Sequence, residues 1–179
     1  MLLEYKNLRI RNATIEDADI LTTWWNDGAV MAHAGFPNGI GETPEHVAEK
    51  IATDDDNKSR RLILELANSP IGEACFYNLG NKVAEIGIKI CDFSKQEKGL
   101  GRLYLSMLIH SLFKESGYEK IILDTNLKNE RAQHVYEKLG FRKVRVNYDS
   151  WKNQLGEMES SVDYELYPEW FVNFCEEHS

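Results

Sequence analysis

The chain is poor in cysteine. Cys75, Cys91 and Cys175 are the three it has, an odd number at unrelated spacings. That argues against a disulfide framework and shows no metal-ligand motif, and it suits free thiols in a reducing cytoplasm. Positive charge is also scarce. Lys and Arg total 21 against 29 Asp and Glu, a net charge of −8, which argues against general nucleic-acid binding. The same balance is compatible with a cationic small molecule or a basic peptide. No apolar run approaches the length of a membrane span. The start, Met1-Leu-Leu-Glu-Tyr-Lys6, has no basic segment followed by an apolar one, so no secretory signal is expected. Repeats, low-complexity tracts and linkers are missing as well. The 179 residues, 42% hydrophobic and 28% charged, read as one globular domain over 1–179 with room for a real core.

What is present has a clear order. Leu8–Arg11 alternates as a strand. Thr14 caps a helix over Ile15–Trp25 with Glu16 and Asp17 in its first turn. Residues 26–42 hold Gly28, Gly35, Pro37, Gly39 and Gly41 and read as a loop. Thr43-Pro44 opens a helix to Ala52. Strands are expected over Arg61–Leu66, Ile71–Leu79 and Lys82–Ile90, joined by turns at Asn68-Ser69-Pro70 and Gly80-Asn81. The second half alternates. Leu100, Leu103, Tyr104, Met107, Leu108 and Leu112 have helical spacing, closed by Gly117. Lys120–Thr125 is a strand, and Ala132, Val135, Tyr136 and Leu139 form one face of a helix stopped by Gly140. Strands over Phe141–Tyr148 and Ser161–Leu166 and a helix over Tyr167–Glu177 complete a mixed α/β pattern.

The chemistry concentrates at Gln96-Glu97-Lys98-Gly99-Leu100-Gly101-Arg102. Glycines at 99 and 101 let the main chain approach a bulky anion. The helix that starts there presents unpaired N–H groups and a positive dipole end. Lys95, Lys98 and Arg102 add positive charge to an acidic chain. The bland reading is a tight strand-to-helix turn, and the basic cluster favours an anion site. It is not a P-loop, because no Gly-Lys-Ser/Thr follows. Nor is it a dinucleotide fingerprint, because Tyr104 stands at the third glycine position. Asn129 and Tyr136 lie two helical turns apart and share a face. Alone they read as an N-cap and a core tyrosine.

Together, Gln96-x-x-Gly99-x-Gly101 and Asn129-x-x-Ala132-x-x-x-Tyr136-x-Lys138-x-Gly140-Phe141 resemble the GNAT superfamily of N-acetyltransferases. The specific resemblance covers about residues 60–145. The whole chain is most similar to the branch of ribosomal-protein N-terminal acetyltransferases and related amine acetyltransferases. The resemblance implies a largely antiparallel central sheet flanked by helices, with a splayed strand pair holding acetyl-CoA as co-substrate, and no metal. It implies that the N–H groups of Glu97, Lys98, Gly99, Leu100, Gly101 and Arg102, with Gln96, hold the pyrophosphate. Pantetheine would lie beside the strand ending at Ile90, Asn129 would touch the cofactor arm, and Tyr136 would sit near the thioester sulfur. Two positions depart from the family pattern. Glu97 stands where many members carry glycine, so its side chain must turn outward, and Asp92-Phe93-Ser94 replaces the usual proline before the loop.

Acetyl transfer to an amine needs a neutral nucleophile. Neutralising a lysine-like amine of pKa about 10.4 at pH 7 costs roughly 4 to 5 kcal/mol, and a peptide α-amine near 8 only about 1 to 1.5 kcal/mol. Glu85, on the strand leading to the glycine loop, is the first candidate base. Its alternative reading is a solvated strand face or a partner for Lys89; Glu73 is a second candidate. Tyr136 is the candidate acid for the leaving thiolate, and an N–H near Ile90 is a candidate oxyanion donor. By family analogy, Trp25, His33, Phe36 and Trp151 frame the amine acceptor, either a peptide N-terminus or a small molecule. The tryptophans read equally as core or homodimer contacts. Two other functions fit the same motifs: an aminoglycoside or polyamine acetyltransferase, and a non-catalytic acetyl-CoA sensor.

Overall fold

The computed structural model describes residues 1–176. In chain order it contains β1 (Leu2–Tyr5), β2 (Leu8–Asn12), α1 (Ala18–Trp25), α2 (Gly28–Met31), α3 (Pro44–Ala52), β3 (Ser59–Leu66), β4 (Ser69–Asn78) and β5 (Val83–Ile90). Then come α4 (Leu100–Lys114), β6 (Lys120–Asn126), α5 (Glu130–Lys138), β7 (Arg142–Lys152) and β8 (Met158–Leu166). The strands form one eight-stranded sheet in the order β1-β2-β3-β4-β5-β6-β8-β7. Every neighbouring pair is antiparallel except β5 with β6. Parallel neighbours need a crossover, and α4 supplies it.

The larger core lies between one sheet face and α4 and α5. It contains Ile10, Leu62, Leu64, Phe76, Ile86, Ile121, Val162 and Tyr164 from strands, and Tyr104, Leu105, Leu108, Ile109 and Leu112 from α4. Each such aliphatic side chain contributes about 1.5 to 3 kcal/mol on burial. A smaller core on the opposite face joins Ile63 to Ala18 and Leu21 of α1 and Val47 and Ile51 of α3. Leu62, Ile63 and Leu64 are therefore all buried, because β3 is covered on both faces. Tyr104, the residue at the missing-glycine position, is fully buried, and its hydroxyl donates to the Glu65 carbonyl oxygen at 2.7 Å.

The structure corrects several boundaries. A first strand precedes Leu8, and the expected first helix begins as a 3-10 turn over Ile15–Asp17. The segment 26–42 is not all loop, since Asp27 caps the short α2 by accepting from the Ala29 N–H. Four residues are too few to show helical periodicity. The last two strands are longer than expected, because Asn153 organises a tight turn between them through the Leu155 and Glu157 N–H groups. The terminal helix over Tyr167–Glu177 is absent. A 3-10 turn at Pro168–Trp170 is followed by irregular chain, and Glu177 lies outside the described residues. Main-chain donors there bond elsewhere: Val172 to the Leu139 carbonyl and Phe174 to the Ser106 hydroxyl.

Candidate active site

The site begins where two strands part. β5 pairs with β6 only from Val83↔Lys120 to Glu85↔Ile122. Beyond Glu85 the strands separate, while β5 stays bonded to β4 as far as Ile90. At the end of β5, Cys91 and Asp92 both direct their N–H groups to the Ile71 carbonyl, so the chain turns away from the ladder. Gln96 secures that corner, donating from Nε2 to the Ile90 carbonyl oxygen at 2.8 Å.

The glycine loop follows. Gly99 is the residue before α4 and is left-handed, with φ 74°. The main-chain N–H groups of Glu97, Lys98 and Gly99 donate to no main-chain acceptor among the described residues. The first turn of α4 adds its own orphan donors. A Cβ on Gly101 would meet nothing within 4 Å, so its approach face is open. Arg102 lies beside the loop with its Nε buried and without a hydrogen-bond partner among the described residues. Such donors, free and convergent beside an unpaired guanidinium, fit a pyrophosphate. Lys98 is exposed and outside every ion pair of the described residues.

Glu97 also has a positive φ, 59°. An L-residue there is strained. Its carboxylate turns outward, as expected, and pairs with Arg131 at 3.2 Å. Arg131 also donates to Gln96 Oε1 at 2.8 Å, which ties α5 to the loop. Nothing in the sequence singled out Arg131, because its role depends on how α5 packs.

On α5, Asn129 is an N-cap, accepting from the Ala132 N–H at 3.2 Å. Tyr136 is buried edge-on against Phe141 and Tyr164. Its hydroxyl makes no side-chain hydrogen bond among the described residues. Burial, assisted by the Asp124 carboxylate, pushes its pKa up to about 12.

Glu85 lies on the sheet face opposite α4 and α5, beside Tyr77 of β4 and Ile122 of β6. Along the same face, Asp124 of β6 stands directly opposite Asp163 of β8. Burial raises the Glu85 pKa, and the charges of Asp124 and Asp163 raise it further. Desolvation of its carboxyl group by the neighbouring strands, although the residue as a whole is exposed, and the charge of Asp163 likewise raise Asp124. Arg145 pairs with Asp163 at 3.2 Å, leaving Glu85 and Asp124 without a cation in contact among the described residues. Strand register makes this row, so Asp124 and Asp163 were not visible in the linear sequence. Lys89 does not pair with Glu85. It lies opposite Glu73 and points its ammonium at the Met31 sulfur. The Glu73 carboxylate accepts the Trp25 indole N–H at 2.8 Å, and burial raises its pKa.

Of the four residues expected around an acceptor, Trp25 is engaged with Glu73 and packs into both smaller clusters. His33 and Phe36 are exposed. Trp151 lies against Gly35, where a Cβ would run into its ring and where φ is 95°. Gln154 locks the same loop, donating from its N–H to Gly35 O at 2.7 Å and from Nε2 to Gly39 O at 2.9 Å. The structure thus brings the 28–41 loop and the β7–β8 hairpin together.

Residues 7–142 match the family model described as an acetyltransferase (GNAT) domain. The chain belongs to the GNAT acetyltransferase family. Its fold is shared by spermidine N-acetyltransferase from Vibrio cholerae in complex with CoA and spermine. The match has 22% identity, covers 93% of this chain and 99% of that one, and has TM-score 0.82. RimL, a ribosomal L7/L12 alpha-N-protein acetyltransferase in complex with coenzyme A, matches at 14% identity over 93% and 98% of the two chains, with TM-score 0.83. A probable acetyltransferase matches at 22% identity over 94% and 98%, with TM-score 0.81. Acetyl-CoA is the co-substrate of this GNAT chain. No described helix is long and apolar enough to cross a membrane, and no group of three or more His, Cys, Asp or Glu among the described residues is placed to hold a metal.

Proposed function

We propose that this chain transfers acetyl directly from acetyl-CoA to a primary amine of a small polycationic acceptor, of the polyamine or aminoglycoside kind. The observation that carries the acceptor class is the row Glu85–Asp124–Asp163. Glu85 and Asp124, whose pKa values neighbouring carboxylates raise, gain from a bound cation. α1 and α3 cover the β3 side of this face, so the row stays accessible, with Asp124 exposed.

Acetyl-CoA supplies the activated acyl group; the protein supplies position and protons. The N–H groups of Glu97 to Arg102 hold the pyrophosphate, and pantetheine runs in the gap between β5 and β6 toward Tyr136. Asp124 and Asp163 hold the acceptor's ammonium groups. Glu85 takes the proton of the reacting ammonium, directly or through a water. Its raised pKa brings it closer to neutral pH, where a base is most effective. As the nitrogen–carbon bond forms and the carbon–sulfur bond breaks, the Tyr136 hydroxyl donates its proton to the leaving sulfur, and the second proton shed by the acylated nitrogen restores that hydroxyl through water. A tyrosine of pKa about 12 is fully protonated at neutral pH, so the donor form is always present. The thiols need not act, and burial pushes the Cys75 thiol up to about 11, which suppresses its thiolate.

Thiol release from acetyl-CoA tests the acceptor class with spermidine, an aminoglycoside and an N-terminal peptide side by side. Asp124→Asn should raise KM for the polycations about five- to tenfold and leave KM for acetyl-CoA unchanged. Faster turnover of the peptide, with no effect of Asp124→Asn, would assign the site to a peptide N-terminus. Tight acetyl-CoA binding with no turnover of any amine would make the domain a sensor.

A further inference from the structure

We infer that the C-terminal segment 171–176 is part of the acetyl-CoA site, with Phe174 as the residue that positions Arg102 against the glycine loop. The inference rests on the reading that this loop holds the pyrophosphate.

The segment runs back along α4 toward the first turn of that helix. Phe171 meets Phe113 edge-on at 6.1 Å between ring centroids. Asn173 reaches His110 at 3.5 Å, and the Phe174 N–H donates to Ser106 Oγ at 3.0 Å. The Cys175 thiol lies 3.4 Å from the Leu103 carbonyl oxygen. The contact positions fall from 113 to 103, one helical turn after another, and the track delivers the Phe174 ring to Arg102. There the guanidinium carbon sits 4.9 Å from the ring centroid. On the other side, Arg102 Nε and Nη2 each lie 3.5 Å from the place a Cβ on Gly99 would occupy. The guanidinium is thus held between an aromatic face and the left-handed glycine of the loop.

This arrangement is costly without an anion. Arg102 Nε is buried with no acceptor, and Arg102 is in no ion pair of the described residues. A long arginine side chain in water samples many rotamers, and Phe174 removes most of that freedom before a ligand arrives. Pre-organisation of this kind appears as affinity. Cation–π contact and restricted motion together predict a modest effect, about two- to fivefold.

The test is acetyl-CoA affinity by calorimetry on the full chain, together with steady-state kinetics. Phe174→Leu keeps an apolar side chain and removes the ring; Phe174→Tyr keeps the ring. Phe174→Leu should weaken acetyl-CoA binding about two- to fivefold, leave kcat at saturating acetyl-CoA unchanged, and leave the acceptor KM unchanged. Phe174→Tyr should bind as wild type does. In an Arg102→Ala background, itself weaker by tenfold or more, Phe174→Leu should cost nothing further. Wild-type affinity in Phe174→Leu, the same loss in the Arg102→Ala background, or a loss in Phe174→Tyr equal to that in Phe174→Leu would overturn the inference. Should Phe174→Leu fail to fold, Phe174→Met, closer in length to the ring, takes its place in the same comparison. If Arg102→Ala and Gly101→Asp both bind acetyl-CoA as wild type does, the reading of the loop itself fails, and that failure is separable from the first.

Discussion

Replacing Glu97 by glycine should tighten acetyl-CoA binding while barely changing stability. Glu97 occupies a left-handed conformation, φ 59°, which costs an L-residue about 1 to 2 kcal/mol. Glycine relieves that strain but costs about 0.5 to 1 kcal/mol in chain entropy. The change also removes the Glu97–Arg131 pair, whose side chains are 77% and 52% exposed. Pairs that exposed contribute about 0 to 1 kcal/mol. These contributions offset, so the melting temperature should move by only a few degrees. Binding is different. A unit charge about 8 Å from another interacts by about 0.5 kcal/mol in water. Against a pyrophosphate carrying about two charges the carboxylate opposes binding by about 1 kcal/mol, and its removal should lower Kd about fivefold. Arg131 keeps its bond to Gln96 and stays at the loop. Calorimetry at low salt should show the gain, and in about 1 M salt, where the screening length is about 3 Å, it should vanish. Binding weakened tenfold at low salt would refute the reasoning, because Glu97 would then be holding the loop in shape rather than opposing the ligand.

Tyr136→Phe should lower kcat about 10²- to 10⁴-fold with little change in acetyl-CoA affinity, and equal turnover across pH would remove the hydroxyl from the reaction. Glu85→Gln should lower kcat/KM near neutral pH, with a defect that shrinks as pH rises because more acceptor is already neutral; a pH-independent defect would make Glu85 a residue that orients substrate. Asp124→Asn should raise stability at neutral pH in the absence of acceptor. The folded Asp124 pKa lies above its unfolded value, so the fold loses stability as pH rises through that range, and asparagine removes the loss. Chemical denaturation should show the gain at pH 7 and none below about pH 3, where the carboxyl is protonated in both states.

The parts of the site that lie within one element were legible in the sequence. The Gly99–Arg102 turn, the Asn129 cap and Tyr136 on the same helix depend on local spacing, and helix periodicity and capping fix such features. The parting of β5 from β6 was expected only through family resemblance. The Glu85–Asp124–Asp163 row was not read at all, because it exists only once β8 pairs with β6 in one register. The role of Arg131 depends on how α5 packs against the glycine loop, which local spacing does not show. The C-terminal segment misled in the opposite way. Its Trp170, Phe171 and Phe174 suggest a helix face, yet their partners are residues of α4 and the C-terminus of α5, and those contacts replace helical hydrogen bonds.

Single-turnover mixing with spermidine, following thiol release, the acceptor mass and the protein mass together, tests the central claim most directly. Direct transfer predicts that thiol release and acetylation of the amine share one rate, with no acetylated protein at any time and no release without acceptor. A transient acetyl-protein, at Cys75 or elsewhere, or thiol release that outruns acetylation of the amine, would contradict it.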